Sequence, residues 1–136
     1  ADLEVPESYI HHVAGGEPSL GAESVEYFAR LTPGPTAIVC FNDMLAIGVL
    51  KGCQLAGLRV PEDLSVTGFD NITFSAFTSP SLTTIDQPKF SIGQEAAQLL
   101  LDLLQAVDGT IPDTPNVKVL QGKLLVREST GIPAEV

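Results

Sequence analysis

Strand-like and helix-like patterns of apolar residues alternate along the first half of the chain. Continuous apolar runs at residues 36–41 and 64–69 are typical of strands that are buried on both faces of a parallel sheet. Apolar residues at helical spacing occupy residues 19–31 and 43–56, and residues 9–14 have the pattern of a short strand. This alternation predicts an α/β domain in which right-handed crossovers connect parallel strands.

Local signals mark the ends of the predicted helices. Ser19 is a candidate N-cap of the first helix, and Asn42-Asp43 opens the second. Gly57 stands where a left-handed residue commonly ends a helix. We therefore expect the second helix to end just before Gly57.

The second half of the chain predicts a different arrangement. Residues 72–79 are mixed, with room for one helical turn, and residues 82–86 have the pattern of a strand. In the tail, residues 117–120 and 124–127 predict one or two further strands. The most regular helix, at residues 90–107, has a single apolar stripe at 3.6-residue spacing. The stripe consists of Ile92, Ala96, Leu99, Leu100, Leu103 and Val107.

The predicted helix at 43–56 is apolar nearly all round. Its strongly polar residues are Asp43, Lys51 and Gln54. A helix of this kind must be covered on two sides, and the sheet covers only one. The other side needs either a further layer of a large domain or a partner subunit, and we expect a subunit interface because 136 residues offer few extra layers.

Composition limits the classes of function. Hydrophobic residues make up 44% of the chain and charged residues 18%, which indicates a folded domain. The formal net charge of −10 repels phosphate backbones, so this part of the protein is not expected to touch DNA itself. Apolar runs stay short of the roughly 18–20 residues that span a bilayer. The first residues lack both Met and the features of a signal peptide, so we expect the chain to start within a longer polypeptide.

Candidate catalytic and metal-binding residues are few. Cys40 and Cys53 lack CxxC spacing and are expected to be buried small hydrophobes in a reducing compartment. His11 and His12 are adjacent and would face opposite sides of a strand, a poor geometry for a shared metal. The sequence contains neither a nucleophile elbow nor a phosphate-binding glycine loop. We expect no catalytic site, no metal site and no cofactor.

Polar side chains follow two predicted strands, at the carboxyl ends where open α/β sheets bind ligands. Asn42 follows the first apolar run and Asp70 follows the second. An Asp accepts hydrogen bonds from neighbouring hydroxyls of a sugar or ribose, and an Asn both donates and accepts. The alternative is structural, with Asn42 or Asp43 capping a helix and Asp70-Asn71 forming a turn. The residues alone leave both open.

Four segments together resemble lac/gal-type bacterial transcriptional repressors. They are residues 35–48 (PTAIVCFNDMLAIG), 57–71 (GLRVPEDLSVTGFDN), 80–88 (PSLTTIDQP) and 125–130 (LVREST). They occur in the family's order and cover nearly all of the chain. Periplasmic sugar-binding proteins share the fold and the Asn-Asp and Gly-Phe-Asp turns, but do not usually carry the Val-Pro-Glu-Asp or Pro-x-Leu-Thr-Thr blocks.

The resemblance implies the C-terminal portion of a two-subdomain effector domain of the type I periplasmic-binding-protein kind. Residues 1–89 and 110–136 would belong to the second subdomain, and residues 90–109 would form a crossover helix that packs on the first. The first subdomain, and an N-terminal helix-turn-helix that binds operator DNA, would lie outside these residues. The regulator would act in the bacterial cytoplasm, without contact to a membrane. An extracytoplasmic sugar-binding protein of a transport system is the alternative.

The resemblance also implies roles for individual residues. Asn42, Asp70 and Gln87 would contact a small effector, either a sugar or a purine-like molecule. Phe41 would provide an apolar surface under the ring of that effector. The protein would be a homodimer through the segments that follow the two turns. The implied interface residues are Met44, Ile47, Lys51, Phe74, Phe77 and Thr78.

The apolar stripe of the helix at 90–107 would lose its partner without the first subdomain. Burial of a Leu or Ile side chain is worth roughly 1.5–3 kcal/mol. We therefore expect this helix to pack against a second copy of the chain, to exchange between copies, or to fold back on its own sheet.

Overall fold

The computed structural model describes residues 4–105 and 117–133, and the chain divides into two compact units. The first unit comprises Ala1–Asp86 and Leu124–Val136. The second unit is Gln87–Lys123. The strand-end turns that the sequence singles out both lie in the first unit.

Two helices provide much of the core of the first unit. Helix α1 spans Pro18–Ala29 and helix α2 spans Asp43–Ala56. The predicted ends of α2 are confirmed, since Gly57 follows it in the left-handed conformation at φ 74°. The predicted Ser19 cap is wrong: the N-cap is Glu17 and α1 begins at Pro18, because Pro18 has no N–H to satisfy and its fixed φ suits the first helical turn.

Within residues 4–105 and 117–133, four short strands accompany the helices. Strands β1 (Ala37–Val39) and β2 (Ser65–Thr67) pair in parallel, with Ile38 opposite Val66. Strand β3 (Thr84–Asp86) pairs with β4 (Lys123–Leu125). An isolated parallel bridge, and a bond from Gly68 N to the oxygen of Thr83 at 2.9 Å, connect β2 to the start of β3. The predicted α/β arrangement with parallel strands is confirmed.

The core lies on one face of β1. Ile38 is buried, whereas Val39 is 80% exposed and Phe41 is 63% exposed, because successive residues of a strand point to opposite faces. The prediction that residues 36–41 are buried on both faces is therefore wrong: within the described residues, the hydrophobic core covers only the face to which Ile38 points. The core consists of Val25, Ile38, Cys40, Leu45, Ala46, Val49, Leu50, Cys53, Leu64, Val66 and Leu82.

Helices α1 and α2 approach each other closely enough to require glycine. A Cβ added to Gly48 would overlap the carbonyl oxygen of Pro18 and lie 2.7 Å from the carbonyl carbon. One turn further along α2, a Cβ on Gly52 would lie 2.6 Å from the oxygen of Ala22. Gly21 of α1 has the same relation to the backbone of Leu45. The two helices therefore meet backbone to backbone.

The predicted strand at residues 9–14 is absent from the described residues. A short 3-10 helix occupies Glu7–Tyr9, and residues 10–14 form no ladder. A cavity of about 280 Å³ separates this segment from β1, which pairs on that side with none of the described strands. The segment has the alternating pattern of a strand but no neighbour within hydrogen-bonding reach. Instead the ring of His11 stacks on Tyr27 with centroids 4.2 Å apart.

The tail of the first unit fastens β2 to the segment before β3. Ser129 is buried, and its hydroxyl donates to the oxygen of Val66 at 2.6 Å and accepts from Thr83 N at 2.8 Å. Of the one or two strands predicted in the tail, the described residues form one, β4 at Lys123–Leu125, and residues 117–120 are not part of a strand. The mixed segment at 72–79 contains one short 3-10 helix, Thr73–Ala76.

The second unit is built on helix α3, Lys89–Gln105. None of its residues is buried, and the side chains of Ile92, Leu100 and Leu103 are all more than two fifths exposed. Residues 106–109 of the predicted crossover helix, including Val107, lie outside the described residues. How the stripe is covered, by a second copy, by exchange between copies or by the chain's own sheet, stays a prediction. Among the helices described, none is long and apolar enough to cross a membrane.

Candidate ligand-binding site

The two strand-end turns of the first unit lie side by side. Each follows one strand of the parallel pair β1–β2, so both are at the same edge of the sheet. The backbone N–H of Asp43 donates to the oxygen of Phe69 at 2.8 Å, which joins one turn directly to the other. Open α/β sheets bind ligands at this edge.

Asn42 is the N-cap of α2. Its Oδ1 accepts from the backbone N–H of Leu45 at 2.8 Å, and its Nδ2 donates to the oxygen of Gly16 at 3.5 Å. Both polar atoms of the side chain thus have partners inside the chain. Oδ1 retains a second lone pair, through which it could accept one hydrogen bond from a ligand.

Phe41 is placed to offer a surface to a ligand ring. Its side chain is exposed and lines the wall of the cavity beside β1, near Gly16. A purely structural role of Phe41 in the hydrophobic core does not fit its exposed side chain. An aromatic face beside polar side chains is a common feature of sites that bind sugars or heterocycles.

The second turn has an unusual backbone. Asp70 and Asn71 have φ values of 111° and 47°, in the region that residues with a Cβ adopt least often. The N–H of Asp70 donates to the oxygen of Ile85 at 3.0 Å, and the N–H of Asn71 donates to Thr84 Oγ1 at 3.3 Å. Conformations of this kind persist only where surrounding contacts hold them, and they concentrate at functional sites.

The carboxylate of Asp43, in the first turn of α2, holds the second strand-end turn in place. This carboxylate is fully buried, and it accepts from the Thr84 hydroxyl at 2.5 Å and from the backbone N–H of Ile72 at 2.8 Å. The sequence gives no hint of this role, because an acid in the first turn of a helix is commonly an exposed partner of the helix dipole. Its partners are 41 and 29 residues away along the chain.

Arg127 is a second residue that the sequence does not single out. Its guanidinium donates to Asn71 Oδ1 at 2.8 Å, to Ser75 Oγ at 3.0 Å and to the oxygen of Leu82 at 2.7 Å. The only sequence signal is an arginine directly after three apolar residues in a predicted strand.

The cysteines have the properties of core residues. Both thiols are buried and free, as predicted. Burial raises the pKa of Cys40 to about 12, with the nearby Cys53 and Asp43 adding to the shift. Burial raises the pKa of Cys53 to about 11. Neither thiol is a thiolate nucleophile near neutral pH. Within the described residues, His, Cys, Asp and Glu form no group of three that could hold a metal ion.

The model of the periplasmic binding protein-like domain matches residues 4–130. The chain belongs to this family. This chain is 46% identical over 89 residues to the HTH-type transcriptional repressor PurR of Aliivibrio salmonicida. The alignment covers 65% of this chain and 27% of the repressor. The predicted resemblance to bacterial transcriptional repressors is therefore confirmed.

Solved structures agree with this result. A putative transcriptional regulator LacI from Bacillus cereus subsp. cytotoxis superposes with a TM-score of 0.83 at 32% identity, covering 96% of this chain and 44% of that one. A LacI family regulator from Enterococcus faecium with bound ribose has a TM-score of 0.67 at 34% identity, covering 84% and 40%. This chain spans less than half the length of each of these three proteins.

Gln87 and the predicted dimer-interface residues lie outside the two strand-end turns. Gln87 is the first residue of the second unit, where its backbone oxygen accepts from Lys89 N at 2.8 Å. Its role as a third effector contact stays a prediction. Of the residues predicted at a dimer interface, Met44, Lys51, Phe74 and Phe77 are exposed, whereas Ile47 and Thr78 are partly buried.

Proposed function

We propose that this chain is the effector-binding and dimerisation part of a DNA-binding transcriptional regulator, and that the regulator acts in the bacterial cytoplasm. The observation that carries the proposal is the pair of adjoining strand-end turns, joined by the bond from Asp43 N to Phe69 O. The family and the named repressors among its relatives support a regulator rather than an enzyme.

The effector in this proposal is a small polyhydroxylated molecule, a sugar or a nucleobase-like compound carrying hydroxyls. The Asp70 carboxylate would accept from adjacent hydroxyls, and the exposed ring of Phe41 would lie under the apolar face of the ligand ring. The ribose bound by the Enterococcus faecium regulator supports a sugar. Asn42 would contribute through the free lone pair of its capping oxygen.

Contact with operator DNA is proposed for a helix-turn-helix outside these 136 residues. The net charge of −10 disfavours direct contact between this part and phosphates. The relative of this chain in Aliivibrio salmonicida is named as an HTH-type repressor, which supports the assignment. Effector binding can change operator affinity only as far as the effector prefers one of the two states of the dimer.

Substitution of Asp70 by glycine is expected to weaken effector binding at least tenfold without destabilising the fold. The change removes the carboxylate, and glycine adopts φ 111° without the penalty that alanine would meet. Isothermal titration calorimetry of the intact protein with ribose, and then with a panel of sugars and nucleobases, measures the affinity. Urea denaturation measures the stability.

Glu62→Gly is the matched control, because Glu62 is an exposed acid away from the two turns. It should leave the affinity unchanged. Equal affinities of the wild type and Asp70→Gly for a ligand that binds the wild type would exclude the role of Asp70.

The proposed dimer surface lies next to the start of α2. Asp43 ties the backbone of Ile72 to α2 at 2.8 Å, which brings the segment carrying Phe74 and Phe77 to this end of the helix. Phe74 is 69% exposed and Phe77 is 80% exposed in the single chain. Exposed aromatic side chains of this size are typical anchors of protein interfaces.

The double substitution Phe74→Ser and Phe77→Ser is therefore expected to raise the dimer dissociation constant of the intact protein about 100-fold or more. Sedimentation velocity over a concentration series gives the constant. Ile132→Ser removes a similarly exposed apolar side chain from the tail and should have little effect. A double variant that dimerises like the wild type would place the interface elsewhere.

A further inference from the structure

The guanidinium of Arg127 contacts three residues between positions 71 and 82, which are far from Arg127 along the chain. It donates to the side-chain oxygens of Asn71 and Ser75 and to the backbone oxygen of Leu82, at 2.7–3.0 Å. Its own backbone N–H donates to Thr83 Oγ1 at 2.9 Å. These partners lie 44 to 56 residues earlier in the sequence.

The chemistry of this contact requires arginine. The three oxygens that accept hydrogen bonds from the side chain are all neutral. The directions of these hydrogen bonds therefore matter more here than the pairing of opposite charges. A planar guanidinium offers five N–H donors in a rigid fork and can reach several acceptors at fixed angles. Here Nη1 donates to Ser75 Oγ and Leu82 O while Nη2 donates to Asn71 Oδ1, and the single nitrogen of a lysine ammonium could not reproduce this two-nitrogen arrangement.

Asn71 carries the contact into the second turn. Its Oδ1 accepts from Arg127, and its Nδ2 donates to Asp86 Oδ1 at 3.1 Å. Both amide atoms of the side chain are therefore held from outside the turn. Since Asn71 and the preceding Asp70 share the left-handed region, the fixed Asn71 side chain opposes relaxation of both residues to a more common backbone conformation.

The same guanidinium also holds the segment with the exposed aromatic residues. Ser75 is buried within the 3-10 helix Thr73–Ala76, one residue after Phe74 and two before Phe77. Its hydroxyl accepts from Arg127 Nη1 and donates to the oxygen of Ile72 at 2.7 Å. One side chain thus sets the geometry of the turn and of the helix that follows it.

We propose that Arg127 is the positioning residue of the effector site: through Asn71 it holds the left-handed turn that presents Asp70, and through Ser75 it locks that turn to the proposed dimer segment. The part of this inference that concerns effector binding rests on the proposed function. The positioning of the turn itself can be measured without any ligand.

Hydrogen exchange of backbone amides in the intact protein provides the ligand-free test. The amides of Asp70 and Ile72 donate to Ile85 O and Asp43 Oδ2 and report on the turn, while the amide of Ser65 donates to Thr36 O within the β1–β2 pair and reports on the core. Arg127→Gln should speed exchange at Asp70 and Ile72 at least tenfold and leave Ser65 nearly unchanged. Arg127→Lys should not restore protection. Arg59→Gln, an equal change of charge at an exposed arginine, should affect none of the three amides.

Ribose titration of the same variants tests the link to binding. Arg127→Gln should weaken the affinity about tenfold, consistent with the loss of hydrogen bonds from a charged donor. Asn71→Gly removes the acceptor while tolerating φ 47°, so the double variant with Arg127→Gln should bind no more weakly than Arg127→Gln alone. Additive losses would overturn the route through Asn71.

The outcomes separate the two proposals. Exchange at Asp70 and Ile72 that stays at the wild-type rate, or that rises equally at Ser65, would overturn the positioning role even if the protein binds sugars. A wild-type protein that binds no sugar or nucleobase would overturn the proposed effector site. The exchange rates would still decide whether Arg127 holds the turn.

Discussion

Replacement of Gly48 by alanine is expected to lower the free energy of unfolding by about 3 kcal/mol. The added methyl group would overlap the carbonyl oxygen of Pro18 and approach the carbonyl carbon to 2.7 Å. Both of these atoms are backbone, so no side-chain rotation can relieve the contact. Helices α1 and α2 would have to separate, which would loosen the core residues packed between them.

Urea denaturation followed by circular dichroism measures this loss. Gly93→Ala is the matched control, because it makes the same substitution inside helix α3 at a position with no atom within 4 Å of the added group. It should be neutral or stabilising by about 0.5–1 kcal/mol, since alanine favours a helix more than glycine does. A Gly48→Ala protein with the wild-type midpoint would contradict the close contact of the two helices.

The second large effect is expected at Asp43. Asp43→Ala leaves the Thr84 hydroxyl and the Ile72 amide without their acceptor in a fully buried site. A buried donor that loses its partner costs about 1–3 kcal/mol, so the free energy of unfolding should fall by about 3 kcal/mol. Asp43→Asn keeps the volume and one acceptor oxygen and should cost less.

The same denaturation experiment applies to Asp43, with Glu62→Ala as the control. Glu62 is exposed, and its removal should change stability by less than about 0.5 kcal/mol. If Asp43→Ala matched the control, the carboxylate would not be what holds the turn to α2.

The features that the sequence predicted correctly are those set by neighbouring residues. The bounds of α2 follow from an amide cap at Asn42, a helical apolar pattern and a glycine at the left-handed position. All of these signals lie within about 16 residues of one another. The positions of Asn42 and Asp70 at adjoining strand ends follow from the order of strands in a parallel sheet.

The errors concern features that depend on distant parts of the chain. Residues 9–14 have a strand pattern, but a strand exists only where a partner lies within hydrogen-bonding distance. Val39 continues an apolar run, yet the described residues place the core on only one face of β1. In the same way, the contacts of Asp43 and Arg127 join positions 29 to 56 residues apart, and no local pattern encodes them.

The open side of β1 has a consequence for the handling of this polypeptide. Cys40 N and Thr36 O bond to β2, so the intervening residues Ala37 and Val39 direct their backbone polar groups toward the cavity. Such an edge is a template on which another polypeptide can add a strand, and no charged side chain within β1 opposes this. During refolding from denaturant, aggregation therefore competes with folding, because chains can pair edge to edge at β1. This aggregation increases with protein concentration. Dilute conditions favour correct folding over this aggregation.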